Sequence, residues 1–189
     1  MPGHAILRLG ALAAIAAACA TSPPARFYRL APEAAVSAAP STRAVIVGPF
    51  QLAEYLDRPQ IVTRNGDDSM TVADFERWAE PLDANFQGVV AANVSRLLGS
   101  DRVLEFPAQS IMKPERRVVG RVSQLDVDAG GHAVLEVQWG VLGEDGKPAQ
   151  PARRSRYEAT AEGASYAAKV AALSAAVAKF SADVAAVVK

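Results

Sequence analysis

Residues 133–141 read AVLEVQWGV. Leu135, Val137, Trp139 and Val141 alternate with Glu136, Gln138 and Gly140. This is the period-2 pattern of a strand with one buried and one wetted face. Two further strand candidates flank it, RRVVGRVSQLDVD (116–128) and RRSRYEATA (153–161), joined through Gly130-Gly131 and GEDGKPAQP. A sheet with one apolar face must bury that face under another layer. Two helical patterns supply the layer. Pro81 stands at a first helical position. Leu82, Phe86, Val89, Val90, Val94, Leu97 and Leu98 then recur at helical spacing, and Gly99 is the expected stop. Asp83, Asn85, Gln87, Asn93 and Arg96 fall off that stripe. The last helix runs from about Ala164 to Val188. In it Tyr166, Val170, Leu173, Val177, Phe180, Val184 and Val187 make a seam of period about 3.5. Such a seam fits a helix laid on the sheet or a coiled-coil partner.

The N-terminal half holds shorter strands. RAVIVGPF (43–50) is a β-branched run stopped by Gly48-Pro49. QIVTR and SMTVADFERW flank Asn65-Gly66, a strong hairpin signal because both residues tolerate positive φ. Pro59 can stand only at a strand start or an edge. RVLEF ends at Pro107, FYRL (27–30) is a short strand candidate, and APEAAVSAAPST reads as a loop. No repeat of 20 to 50 residues is visible. The predicted fold is α+β, a mostly antiparallel sheet with two amphipathic helices packed on one face.

The chain start concerns location rather than fold. A weakly basic lead with Arg8 precedes ALAAIAAA (11–18), and Cys19 follows, the only cysteine. This order reads as a secretory signal. Its apolar run is far short of the roughly 20 residues that span a bilayer, and no later segment is read as a span. IAAAC resembles a bacterial lipobox, which implies that Cys19 is acylated and heads the mature protein. Ala20, not Asp, follows it, which by the enteric sorting rule favours the outer membrane. ATSPPAR (20–26) is then a tether. The predicted division is a signal peptide over 1–18, the acylated cysteine, tether, short strand and linker over 19–43, and one α+β domain over 44–189. One cysteine cannot form an internal disulfide. With 20 basic and 20 acidic residues, the chain lacks the basic excess of a nucleic-acid binder.

Catalytic constellations are not visible. His4 leaves with the signal, and His132 sits in a tight turn, AGGHAV. One mature histidine and no free thiol exclude His/Cys metal clusters and Cys-His catalysis. Asp67-Asp68 and Glu144-Asp145 fall in turns, where acids are ordinary turn formers. A spaced calcium-ligand loop is missing. No cofactor or metal is expected, and the chain is not read as an enzyme. Two basic clusters remain, KPERR (113–117) and RRSR (153–156). Arg154 and Arg156 share one strand face, which fits a solvated face or a contact with an acidic partner or lipid headgroups. The densest polar stretch is Glu54–Leu82. There Asp57-Arg58-Pro59 sets up a strand start, and an Arg58–Asp57 pair would fix the turn. Trp78 and Leu82 should enter the core. Tyr55, Asp57 and Arg58 either face a partner or only hold this corner.

YLDRPQIVTR followed by FERWAEPLDANF resembles the signature region of the PqiC-type lipoproteins, the ABC-type transport auxiliary lipoprotein family. The lipobox, RFYRL, AVIVGPFQL and an Ala-rich final helix come in the same order. The resemblance implies an accessory of MCE-type systems that move lipids between the two membranes. Its expected partners are an MCE-domain protein and ABC transporter components, at a membrane reached through acylated Cys19. A non-catalytic role follows, docking or supporting the conduit at the outer membrane and contributing to membrane integrity. The residue reading leaves an alternative, a carrier holding a phospholipid acyl chain between sheet and final helix. A homo-oligomer built on a sheet edge or the final helix is also left open.

Overall fold

Strand β6 (Arg116–Asp128) is the spine of the molecule. β7 (His132–Gly143) pairs with it antiparallel along nearly its whole length, and β8 (Arg153–Thr160) pairs antiparallel with β7. On its other side β6 is shared. Its first half runs parallel to β2 (Val45–Leu52), and its last two residues run parallel to β3 (Gln60–Arg64). β5 (Val103–Glu105) extends β2 in parallel. β4 (Met70–Trp78) turns back antiparallel on β3, and β1 (Arg26–Tyr28) lies parallel on β4. The computed structural model describes residues 23–36, 40–66 and 69–189. Cys19 and Asp67-Asp68 lie outside the described residues.

The class is α+β as expected, but the sheet is mixed. The second half is antiparallel, whereas β1–β4, β2–β5, β2–β6 and β3–β6 are parallel pairs. The physical reason lies in the connections. The antiparallel pairs join strands that follow one another in the chain, whereas every parallel pair joins strands with other elements between them, and α1 (Leu82–Leu98) lies between β2 and both of its parallel partners.

Both helices share one face. Phe86 of α1 and Phe180 of α2 (Tyr166–Val188) stack with centroids 6.1 Å apart, and both meet Phe50 of β2 edge-on. Trp139 closes the cluster against Phe180 at 5.5 Å. Each ring contributes roughly 1.5–3 kcal/mol by leaving water, and edge-to-face pairs add about 0.5–1.5 kcal/mol. Gly120 makes this packing feasible. A Cβ there would stand 2.9 Å from the Phe50 ring and 2.6 Å from the Gln138 carbonyl oxygen. The interlayer space that a bound acyl chain would occupy is therefore filled with side chains.

The α2 stripe departs from the expected seam. Val170, Leu173, Val177, Phe180, Val184 and Val188 are buried, while Val187 is only half-buried. The last step is four rather than three, so the stripe follows a straight helix on a sheet rather than a supercoil. By length and composition α2 could cross a membrane, with a mean hydropathy of 1.6 over 18 residues. More than half of that window is buried in the fold. Ser165 caps its start, its Oγ accepting the Ala168 N–H at 3.2 Å.

Two residues expected on the polar side of α1 are buried instead. Asn85 accepts the Leu30 N–H at 2.7 Å and donates to Glu80 at 2.9 Å. Asn93 accepts the N–H groups of Glu33 and Ala34, both at 3.0 Å. Ser174 of α2 accepts from Ala31 at 3.1 Å, and Arg96 donates to the Pro32 carbonyl at 3.0 Å. Residues 31–34 have no regular structure, as read, and neither has Leu30, expected in a strand that ends instead at Tyr28; together residues 30–34 form a strap across both helices. A strap without strand partners would leave buried backbone groups unpaired, and these side chains satisfy them.

Candidate functional site

The Glu54–Leu82 stretch closes into a corner at the end of β2. The Ala53 N–H bonds the Val122 carbonyl at 2.9 Å, and one 3₁₀ turn (Glu54–Leu56) follows. Leu56 plugs the core. The Pro59 carbonyl then accepts the Trp78 N–H at 2.7 Å, and the Tyr28 carbonyl accepts the Ala79 N–H at 2.8 Å. The two signature halves, separated by a hairpin, thus meet. Trp78 and Leu82 are core residues, as the sequence indicates. Pro81 is the cap rather than the first helical residue, its carbonyl accepting the Asn85 N–H at 3.0 Å.

A bulge in β6 builds the inner part of the corner. One extra residue near Ser123 shifts the register against β7. Before it Val118 and Val122 join the core; after it Leu125 and Val127 do. Asp126 is thereby turned to the opposite face, where its side chain is fully buried. The Tyr55 hydroxyl donates to Asp126 Oδ2 at 2.9 Å, Arg64 Nε donates to Oδ1 at 3.1 Å, and Gln124 Nε2 donates to Oδ1 at 3.0 Å. Burial, and then the neighbouring Asp126 carboxylate, push the Tyr55 phenol well above its ordinary range. Tyr55 therefore faces inward and holds the corner.

Asp57 and Arg58 differ from Tyr55. Both are exposed, and neither side chain has a hydrogen bond or ion pair among the described residues. The expected Arg58–Asp57 pair does not form. Backbone bonds fix the turn instead, Asp57 N–H to the Glu54 carbonyl at 3.1 Å and Arg58 N–H to the Leu56 carbonyl at 2.9 Å. Two surface grooves flank Asp57. One, of about 450 Å³, runs past Leu56, Asp83 and Arg121; the other, of about 370 Å³, lies between Arg58, Pro59, Trp78 and Pro81.

Arg154 and Arg156 stand apart from this corner, across β6 and β7. Ser155 and Tyr157 turn toward the core side, where Trp139 Nε1 donates to Ser155 at 3.1 Å and the Tyr157 hydroxyl donates to Asp183 at 2.7 Å. Arg156 is occupied: it reaches Glu158 at 2.7 Å and Glu136 at 2.5 Å, and these bonds raise its pKa further. Arg154 has no described partner. The other charged turns are similarly settled. Lys113 pairs with Glu144, and Asp145 accepts the Lys147 N–H at 3.0 Å. His132 lies exposed at its hairpin with Nδ1 3.2 Å from Asp128. No group of three or more metal-ligating side chains occurs among the described residues.

Arg121 was not singled out from the sequence. The register places Gln51, Arg121, Gln138 and Arg154 side by side across four neighbouring strands. The signal was present as an arginine on the wetted phase of a strand, but only the pairing aligns it with Arg154.

An architecture of mixed sheet, two-helix layer and exposed corner can be set against known proteins. No curated protein matches the chain by sequence. A crystal structure of an uncharacterized protein superposes with a TM-score of 0.73 at 20% identity, covering 88% of this chain and 100% of that one. Protein XCC0632 from Xanthomonas campestris, of family DUF330, superposes with a TM-score of 0.70 at 18% identity, covering 85% of this chain and 93% of its own. At these identities the likeness concerns the fold. The family model of the ABC-type transport auxiliary lipoprotein component matches residues 28–185, from β1 to the last turns of α2. The chain therefore belongs to the ABC-type transport auxiliary lipoprotein family, the group its corner motifs resemble.

Proposed function

We propose that this protein is a non-catalytic lipoprotein subunit of an MCE/ABC-type lipid transport system, held at the outer membrane by acylated Cys19. Its role is to dock or support the conduit on the periplasmic side and so maintain the membrane barrier. The observation that carries the reading is the corner. A rigid frame of Tyr55, Asp126 and Arg64 holds Asp57 and Arg58 outward, unpaired, between two grooves. Ordinary surface charges need no such frame. An acid and a base left free on a backbone that is already fixed suit partner recognition, because little loop order remains to be lost on binding.

The anchor and the docking step have separate tests. Cys19→Ser should move the protein from the membrane to the soluble envelope fraction. Capture of the acylated protein from membranes should recover an MCE-domain protein. Capture without any transporter component, in cells with a normal barrier after gene deletion, contradicts the reading.

A further inference from the structure

The geometry points to a phospholipid site on the face of the sheet opposite the helices, with a preference for an amine headgroup. An apolar groove of about 440 Å³ lies there, floored by Val119, Gly140 and Leu142 and walled by Pro148 and Ala152 of the β7–β8 connection. The Pro148 segment is fixed along the end of β7, with Pro148 bridged to Leu142 and the Ala149 N–H on the Val141 carbonyl at 2.8 Å. Gly140 keeps the floor low, since a side chain at that position on the wetted phase would fill the trough.

One edge of this groove is polar and ordered. Gln51, Arg121 and Gln138 line it, and Arg154 follows in the same cross-strand row. Neighbouring strands are about 4.8 Å apart, so Arg121 and Arg154 stand roughly 10 Å apart with Gln138 between them. Neither arginine has a carboxylate partner among the described residues, unlike Arg156 one register step away. Two free guanidinium groups with an amide between them form a donor row suited to a phosphate diester.

The second groove decides which headgroup. It shares Gln51 and Arg121 with the apolar groove and adds Glu54, Asp57 and Asp83. An anionic headgroup beyond the phosphate would meet these carboxylates and be repelled, whereas an ammonium would be attracted. The occupant is thus one phospholipid: acyl chain in the apolar groove, phosphate on Arg121 and Arg154, amine toward the acids. The site differs in place from a chain lodged between sheet and α2, where the ring cluster leaves no room. It goes beyond the docking role and depends on neither the Cys19 anchor nor Arg58.

The test uses the mature-length chain carrying Cys19→Ser, equilibrated with vesicles of phosphatidylethanolamine or phosphatidylglycerol and read by native mass spectrometry. One ethanolamine lipid should bind, about tenfold more tightly than the glycerol lipid. R121A/R154A should lose about tenfold or more in affinity, while D83A should lower the ethanolamine preference and leave the acyl contacts intact. All three positions are exposed, and circular dichroism checks that the variants stay folded. No bound lipid, or binding unchanged in R121A/R154A, overturns the site. MCE capture by the same variants keeps the outcomes apart: lost lipid with retained capture supports this site without touching the docking reading.

Discussion

The corner contains two sets of polar side chains that look alike in the sequence and behave oppositely in the fold. Tyr55, Arg64 and Gln124 form a ring of donors around the Asp126 carboxylate, so each group has an internal partner. Asp57 and Arg58, two and three residues beyond Tyr55, have no side-chain hydrogen bond or ion pair among the described residues. The first set holds the corner, and the second is held by it. Charge density alone does not separate these roles; the number of internal partners does. A buried carboxylate is retained only where its partners offset desolvation, and a free surface pair contributes little to stability.

Removing the centre of the ring is the harshest way to break this contrast. Asp126→Ala strands Arg64 and the Tyr55 hydroxyl, and should cost about 3–5 kcal/mol in urea unfolding. Asn93→Ala tests whether the strap is held by the same rule. It unpairs the Glu33 and Ala34 N–H groups and should cost about 1–3 kcal/mol.

High pH probes the ring without mutation. Burial first, and then the bond to Asp183, set the Tyr157 phenol at about 12, and Tyr55 is raised as well. Unfolded tyrosine titrates near pH 10. The unfolded chain therefore releases these protons first, so their contribution is complete below about pH 10 and is lost as pH rises through about 12. A melting temperature that declines over that window, and declines less in Y55F and Y157F, is expected. Arg156→Ala should cost at most about 1 kcal/mol, with the loss shrinking in high salt. Arg58→Ala should change stability by no more than about 0.5 kcal/mol. A larger loss would mean that the rim also holds the corner.

Much of the secondary structure is legible in the residues. The β7 and β8 patterns alternate, and Gly99 and Asn65-Gly66 stand where the chain stops or reverses. Three features are not. The bulge near Ser123 switches which residues of β6 face the helices, and no local signal announces it; the burial of Asp126 on the other face depends besides on Tyr55 and Arg64, 71 and 62 residues away. Asn85 and Asn93 sit four residues on either side of buried Val89, along one ridge of α1. Their spacing could have shown that they face inward, had the strap above them been foreseen. Parallel pairing depends on connections between distant segments, and no alternation within one strand encodes it. At the candidate site, the sequence leaves open whether Tyr55 faces a partner or holds the corner, because the burial of its hydroxyl depends on the distant Asp126. Asp57 and Arg58 were legible as residues but not as free ones.

Ring and rim should differ in what their loss does to partner recognition, and capture of the transport partner measures that directly. Acylated protein carrying D57A/R58A should unfold at the same urea concentration as the unmodified protein while recovering little or no MCE-domain protein from membranes. Y55F should be less stable and still recover it. Undiminished recovery by a folded D57A/R58A variant would contradict the claim that the corner exists to present those two side chains.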